Sequence, residues 1–590
     1  MMRKKVRARQ PMRALPRVRA FGIHRINPKV AVLLTPSMKK LIFAVATALL
    51  LSVFWPGVWG AETHPITFTW LFALAPMLSL ERSIRHDAFG KKGWRTFGYA
   101  WLSMGLFNLC TTFWVWNAHW SGVVATVLIN GSLMAAVWTL YGWVARVHSP
   151  RLGYWALVSG WLALEVFHEN WAFSFPWLDL GHVFASSPGA VQWYEFTGHR
   201  GGTVWLLVSN IVFVETWYKT KDAEGRIGWS SWKAMLRSPL PYVWGLPLVL
   251  SIGIWTGHNT ENDRHVWATY VQPNVDPYHQ KFQTPDQWQA HNWADSLLQA
   301  FTTIAPSENP RVQRHPTAVV VFPETFLHEG IQERFGNVFK PIHALDTVLR
   351  AFPQTSLLVG ASTYELFEAG EETSTSRKVD PQGRRFYDSY NSAIELTAGQ
   401  PMEFYHKSKL VVGVEYMPFA STLKSLIGDA TIALGGTTGT LGTQEERAVF
   451  ALADTTIKVA PIICWEQDYG AYVREYAKKG ANLFAIMTND GWWGNTLGHV
   501  SHFHFARLRA IENRRSIVRA ANTGISGFID PWGRSYKVKT WNQVGLGTAI
   551  VSLNDHQTFY TQYGDLIGRG GALLFPLLLL SVLVRQRVQR

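Results

Sequence analysis

The sequence predicts two architectures in one chain: an α-helical membrane domain of eight spans, and an α/β domain inserted between spans seven and eight. Three observations carry this. Apolar runs recur near 41–59, 66–80, 96–116, 122–145, 153–169, 203–218, 240–257 and 571–584, most of them long enough to cross a hydrocarbon core of ~30 Å. Of the 590 residues 16% are charged and 14% aromatic, with 29 Trp, against about 25% charged in ordinary soluble domains. Between the last two runs some 300 residues of mixed polarity alternate short β-rich stretches with helical patterns, the signature of an α/β fold.

The basic tail and the loops orient the membrane part. Residues 1–40 hold twelve Lys or Arg and no acidic residue, so of the net charge of +15 only +3 remains for the other 550 residues. Such a tail directly before an apolar run reads as a cytoplasmic flank beside anionic lipid. Nothing downstream offers a nucleic-acid reading module, so no nucleic-acid partner is expected. Loops 81–95, 146–151 and 219–238 hold five, two and five Lys or Arg, while 60–65, 117–121 and 170–202 hold none, none and one. That asymmetry places both termini inside. The expected domains are a cytoplasmic tail (1–40), a seven-span membrane domain (41–257), an outside domain (258–565), and a final span with its basic tail (566–590).

Within the outside domain the expected strands are Trp267–Val271, Ala318–Phe322, Ser356–Val359, Ile457–Ile463 and Leu483–Met487. A helix is expected over Phe503–Val518, where Phe505, Leu508, Ile511 and Val518 share one face that Arg515 interrupts. The polar stretch Glu368–Arg385 reads as an exposed loop. Two cysteines exclude a disulfide scaffold and any Cys-rich zinc module.

Three places carry chemistry: V-V-F-P-E-T-F with Glu324 after a strand pattern, Y-H-K-S-K-L-V-V-G-V-E-Y-M-P-F with Lys407, Lys409 and Glu415, and V-A-P-I-I-C-W-E-Q with Cys464 ending an apolar run. A thiol nucleophile needs a base for its proton and a cation or N–H donors for an oxyanion. One Glu, one Lys and one Cys supply those parts. Taken singly each has a plain reading: a turn carboxylate, a surface cation, an inert buried thiol. Only the full constellation lifts them above it.

In combination these residues resemble the nitrilase (carbon–nitrogen hydrolase) superfamily, whose triad runs Glu-Lys-Cys along the chain, and within it the apolipoprotein N-acyltransferase family. The resemblance spans nearly everything after residue 40. It rests on F-P-E-T, Y-x-K-x-x-L-V with E-Y-x-P-F, C-x-E, T-N-D-G-W-W-G (488–494), H-F-x-x-A-R-x-R-A-I-E (502–512) and A-N-T-G-I-S (521–526). It implies an αββα sandwich in which Glu324 is the general base, Lys407 holds the oxyanion and Cys464 is acylated. The Trp465 N–H would be a second oxyanion donor, and Glu415 and Glu466 would orient Lys407 or the incoming amine. Lys407 is preferred to Lys409 because it stands eight residues before Glu415, as the family pattern has it. Asn489, Asp490 and Trp492 fall on a loop expected to touch substrate, and Phe282 or Tyr278 stands in for a family Trp. The sequence departs from the family at Val412-Gly413-Val414, where Pro-Phe-Gly is usual, and at Trp465, where Tyr is common.

The activity so implied moves a fatty acyl chain from a phospholipid, with phosphatidylethanolamine the expected donor, to the α-amine of an S-diacylglyceryl-cysteine lipoprotein through a Cys464 thioester. The resemblance further implies the inner membrane of a two-membrane bacterium, with the catalytic domain periplasmic. No cofactor is implied. His499, His502 and His504 lack H-E-x-x-H spacing, so no metal is expected. Segments 175–182 and 193–202, rich in Trp, Gly and His, read either as a lipid entrance or as an interfacial aromatic belt. Glu165, His168 and Glu169, near the outer end of the fifth span, either serve a purpose there or snorkel to the interface. Cys110, in the third span, is too distant in topology to pair with Cys464. The competing readings are a membrane-anchored nitrilase-type amidase, which would need only one anchor, and a transporter or scaffold, for which the spans hold little buried charge.

Overall fold

The computed structural model describes residues 35–60, 65–220, 229–257, 264–303, 317–367, 378–379, 386–418 and 440–589. The basic tail up to residue 34 lies outside them, as does the 368–385 stretch except for the two-residue strand Lys378–Val379.

The first helix, Pro36–Val53, starts where Thr35 accepts the Met38 N–H on its hydroxyl and Pro36 occupies the first turn, a position that needs no N–H donor. Helices Lys92–Thr112, Trp120–Ala125, Gly131–Val147, Pro150–Asn170, Arg200–Thr220, Leu240–Gly257 and Leu566–Val588 follow. A π-helical turn, Thr126–Asn130, joins the second of these to the third. Among the described residues four stretches, Pro36–Val53, Trp120–Val147, Leu240–Gly257 and Leu566–Val588, are long and apolar enough to cross a membrane by length and composition. The run 66–80 is not one helix: it divides into a 3-10 turn, Pro65–Leu71, and the helix Ala75–His86. Pro76 is the reason, since proline opens a helix more readily than it continues one. Leu246, Val249 and Ile252 on one helix, and Leu573, Leu577 and Leu580 on the last, stand exposed as side chains solvated by lipid would. The last helix packs on Pro150–Asn170 at Gly160, where an added Cβ would come within 2.7 Å of the Phe575 ring.

The α/β domain has four layers. One sheet runs Gly545–Leu553, Arg264–Gln272, Val319–Val321, Ser356–Phe367, Phe386–Thr397, Lys378–Val379, with Leu327–Gln332 also pairing with Ser356–Phe367 and Glu403–His406 with Phe386–Thr397. The other runs Ser535–Lys539, Ser526–Ile529, Ser516–Ala521, Leu483–Thr488, Lys458–Ile463, Phe450–Ala451. The central strands of each are parallel and read as unbroken apolar runs because both their faces are covered. The sheets face one another, Tyr270 meeting Phe528 at 5.3 Å. Helices Asp286–Thr303 and Lys340–Ala351 cover the outer face of the first sheet. Gly470–Lys478 and Leu497–Asn513 cover the second.

All five expected strands form, four with edges shifted by a few residues, while the one expected over Ser356–Val359 runs on to Phe367. The helix expected over Phe503–Val518 instead spans Leu497–Asn513, ending at Arg514 in the left-handed region (φ 52°), and Ser516–Ala521 is a strand buried throughout. The Ile517-Val518 pair belongs to the strand, and Arg515, which interrupted the predicted face, is buried and donates to the Ala481 and His556 carbonyls.

Segments 175–182 and 193–202 form the joint between the two parts, and most of their residues are buried. Arg514 crosses the joint to Gln192 and Glu195. His199 bridges Asp179 and Glu512 at 3.0 and 3.2 Å. Glu165 and Glu169 do not snorkel. They turn inward to Arg200, which also meets Asp179 and Asp565.

Candidate active site

Glu324, Lys407 and Cys464 each follow the C-terminal end of a strand, where α/β folds gather reactive groups. Three fully buried valines, Val319–Val321, fix the approach to Glu324. The next strand yields at Gly360: a Cβ there would stand 2.2 Å from the Pro323 carbonyl and 2.8 Å from the Glu324 Cα. Lys407 is held by its own N–H, which donates to the Asn391 carbonyl at 2.8 Å. Cys464 has φ 50°, a left-handed backbone that a residue with a Cβ adopts at a cost of about 1–3 kcal/mol. The sharp turn from strand into the 3-10 helix Cys464–Asp468 imposes it.

The side chains converge. Lys407 Nζ lies 2.9 Å from Glu324 Oε1 and 2.9 Å from Glu415 Oε2. Asn391 Nδ2 donates to the same two carboxylates at 2.7 and 2.9 Å. The Asn489 N–H donates to Glu324 Oε2 at 3.1 Å, and Thr488 Oγ1 donates to the Cys464 sulfur at 3.2 Å. Burial pushes the Glu324 carboxyl up, but the Lys407 charge and the bonds from Lys407 and Asn391 outweigh it and hold the group below the ordinary carboxylate value. Burial pulls Lys407 down, but Glu324 and Glu415 keep it well above the usual lysine value. Burial and the Glu324 charge push the Cys464 thiol well up, with Lys407 opposing. The resting site is therefore a carboxylate, an ammonium and a neutral thiol, as a base-activated nucleophile requires.

Other expected site residues fall in different places. Trp465 is the second residue of the 3-10 helix that Cys464 opens, among the N–H groups that have no intrahelical partner, and its ring stacks on Trp177 at 5.5 Å. Glu466 does not reach Lys407. Its carboxylate accepts from Tyr405, Tyr472, Ser408 N and Ile463 N, and so pins the loops on either side of the thiol. Asp490 is fully buried and takes up Thr488, His502 and Arg519, so it supports the residue that touches Cys464 rather than offering a free carboxylate. Asn489 faces the site through its backbone. Tyr278 donates its hydroxyl to the Asn117 and Trp492 carbonyls, tying the 275–283 loop to both parts of the protein. Phe282 is 64% exposed beside the same loop, edge-on to His328. Lys409 turns away, to the Glu169 carbonyl and the Tyr469 ring.

An apolar cleft of about 970 Å³, counting its open mouth, lies between the membrane helices and this site. Trp114, Ile129, Phe175, Val412, Trp465 and Trp493 are among its walls. Val412 belongs to the stretch that departs from the family pattern.

The chain is similar to known proteins along most of its length. The carbon-nitrogen hydrolase family model matches residues 268–560, and the model of the apolipoprotein N-acyltransferase N-terminal domain matches 47–212. The apolipoprotein N-acyltransferase of Chlorobaculum tepidum is 26% identical over 93% of this chain and 97% of its own length. That of Azotobacter vinelandii is 26% identical over 79% of this chain and 82% of its own. The chain belongs to the apolipoprotein N-acyltransferase family. Among solved structures, an amidase of the nitrilase superfamily from Nesterenkonia AN1 is 15% identical, covering 51% of this chain and 94% of its own, with a TM-score of 0.32.

Three residues at this acyltransferase-family site carried no signal in the sequence. Asn391 sits mid-strand between Tyr390 and Ser392, one polar residue among several, and Thr488 ends a strand as threonines commonly do. Lys281 is 6% exposed, donates to the Thr325 hydroxyl, and is held by burial near pKa 8 despite the charges of Glu324 and Asp286. Its burial depends on a loop fold that spacing does not reveal. Of the three histidines weighed as metal ligands, His502 comes together with Cys464 and Asp490 within 4.8 Å. Arg519 donates to Asp490 at 3.1 Å and lies 2.9 Å from His502 Nδ1 there, and a fixed guanidinium already fills the place a cation would take.

Proposed function

We propose that the protein transfers a fatty acyl chain from a phospholipid, phosphatidylethanolamine foremost, to the α-amine of an S-diacylglyceryl-cysteine lipoprotein. Glu324 takes the Cys464 proton, and the thiolate attacks the ester carbonyl. Lys407 Nζ and the Trp465 N–H hold the oxyanion. On collapse the C–O bond breaks, the glycerol oxygen takes the proton from Glu324, and lysophospholipid leaves. The amine then attacks the thioester, Glu324 accepts its proton and returns it to the departing thiolate. Glu415 and Asn391 keep Lys407 and Glu324 in register.

The observation that carries this reading is a buried Glu-Lys-Cys constellation beside an apolar cleft walled partly by membrane helices. A cleft so placed keeps acyl chains out of water and brings the thiol to the ester. A nitrilase-type amidase would need no such cleft. The same reading sets eight spans in an inner membrane, residues 258–565 in the periplasm and both termini in the cytoplasm, following the loop charges. The test is the intact mass of the purified protein after incubation with phosphatidylethanolamine alone. A fatty-acyl adduct on Cys464, discharged by a diacylglyceryl peptide and lost in Cys464→Ala and Glu324→Gln, is expected. Discharge by water only, or full activity in either variant, would overturn it.

A further inference from the structure

The Thr488 hydroxyl stands between two acceptors. Its oxygen lies 3.2 Å from Cys464 Sγ and 2.7 Å from Asp490 Oδ1, and a hydroxyl has one hydrogen to give. Turning about the Cβ–Oγ1 bond moves that hydrogen from one acceptor to the other. The rest of the residue is held still. Thr488 ends the strand Leu483–Thr488, is fully buried, and accepts the Asn522 N–H on its carbonyl at 3.0 Å. The next N–H, that of Asn489, donates to Glu324, so two consecutive residues touch the nucleophile and its base.

Which acceptor claims the hydrogen depends on the state of the sulfur. A thiol or thioester sulfur accepts weakly, and against it the nearer, charged oxygen of Asp490 prevails. Burial pushes Asp490 up, but Arg519 and His502 outweigh it and keep the group a carboxylate. A thiolate is a far stronger acceptor. Asp490 can yield the hydrogen to it, because His502 Nδ1 at 2.8 Å on Oδ1 and Arg519 Nη2 at 3.1 Å on Oδ2 stay in place. Of the charged groups around the sulfur, Lys407 and Lys281 favour a thiolate, and Glu324 and Asp490 oppose it. His502, like Asp490, comes within 4.8 Å of it. Glu324 loses its charge in taking the thiol proton, which leaves Asp490 as the anion facing the thiolate, with the Thr488 hydroxyl between them.

We propose that Thr488 is a further catalytic residue of the acyl transfer, its hydroxyl turning from Asp490 to the Cys464 sulfur whenever the thiolate forms and back when the sulfur is acylated. The Thr488 hydrogen stays on its own oxygen throughout; the proton that moves is the thiol's, to Glu324. A thiolate forms twice in each turnover, before attack on the ester and again as the sulfur departs from the intermediate made by the amine. Both half-reactions therefore use the same hydroxyl. An interaction made with the thiolate and not with bound substrate raises a rate rather than an affinity. The inference rests on the acyl-transfer reading above.

The test begins without lipid. Full-length protein in detergent is alkylated with iodoacetamide from pH 6 to 10, and the Cys464 peptide is followed by mass, apart from that of Cys110. Thr488→Val keeps the branched shape and removes the hydroxyl; alkylation at pH 8 is expected to fall about 10-fold, the profile moving about one pH unit up. Thr488→Ser, which restores the hydroxyl, is expected to return to within about 3-fold of wild type. Thr488→Ala also lacks the hydroxyl and decides the comparison with serine if valine disturbs folding. In a second arm, acylation by phosphatidylethanolamine and discharge by a diacylglyceryl peptide should each slow about 10-fold in Thr488→Val, with half-saturating concentrations within about 2-fold. A wild-type alkylation profile in the variants without the hydroxyl, or a loss in Thr488→Ser as large as theirs, would overturn the role of Thr488. Wild-type protein that is alkylated at Cys464 yet forms no acyl-Cys464 would overturn the transfer reading, while the alkylation arm still decides whether the hydroxyl serves the thiolate.

Discussion

Lys407 Nζ stands 2.9 Å from Glu324 Oε1 with 1% of the Lys407 side chain exposed. Removing one member of such a pair leaves a buried charge unmet, at about 3–5 kcal/mol. Lys407→Met is expected to lose acyl-enzyme formation and several degrees of Tm, because Glu324 and Glu415 then face each other without a cation. The double variant Lys407→Met/Glu324→Gln should regain part of the Tm and none of the activity. A double variant no more stable than the single one would show that the pair is not coupled.

Gly360 sets how close the base loop can lie to its neighbouring strand. Gly360→Ala must displace the Pro323 carbonyl or the Glu324 backbone. Overpacking of this kind costs about 1–3 kcal/mol, and a shift of about 1 Å at a reacting group costs on the order of 100-fold in rate. Acylation of Cys464 should fall by that order while the protein still purifies folded. Wild-type acylation would mean that the loop gives way without moving Glu324.

Lys281 offers a pH test. Held near 8 by burial against an ordinary 10.5, it binds fewer protons in the folded than in the unfolded protein between those values. Stability therefore rises with pH from about 8 to 10.5, and below 8 the buried cation costs on the order of 3 kcal/mol. Lys281→Met is expected to melt above wild type at pH 7, with the gap closing as pH approaches 10.5. A gap that does not change with pH would rule out this origin.

Arg200 gathers Glu165, Glu169, Asp179 and Asp565 at the joint between the membrane helices and the α/β domain. Arg200→Met strands these carboxylates and should loosen the joint, lowering Tm and opening segments 175–202 to protease in detergent. Arg200→Lys, which keeps the charge, should lie between. Unchanged protease resistance in Arg200→Met would show that apolar packing alone holds the joint.

What the sequence made legible was what repeats or what chemistry marks. The parallel strands are continuous apolar runs, and Glu324 and Cys464 stand where two such runs stop, so these could be read directly, whereas Lys407 follows the short antiparallel strand Glu403–His406 and is marked by its motif. Asn391, Thr488 and Lys281 could not, because their roles depend on which strand lies beside which. Glu466 and Asp490 drew attention as acids near the site, yet their oxygens are taken up by neighbours that only the folded chain supplies. The pattern carries the helix past its end at Asn513 because a buried parallel strand and a buried helix hold the same apolar residues. Glu165 and Glu169 read as polar intruders in a span until Arg200, more than thirty residues on, was seen to face them.

The left-handed backbone at Cys464 separates endurance from activity at a single position. Cys464→Ala keeps a Cβ in a conformation that disfavours one, whereas Cys464→Gly does not. The glycine variant, though smaller and less well packed, is expected to be the more heat-stable of the two by about 1 kcal/mol. Both are inert, so the difference would measure what the fold gives up to hold its sulfur in place.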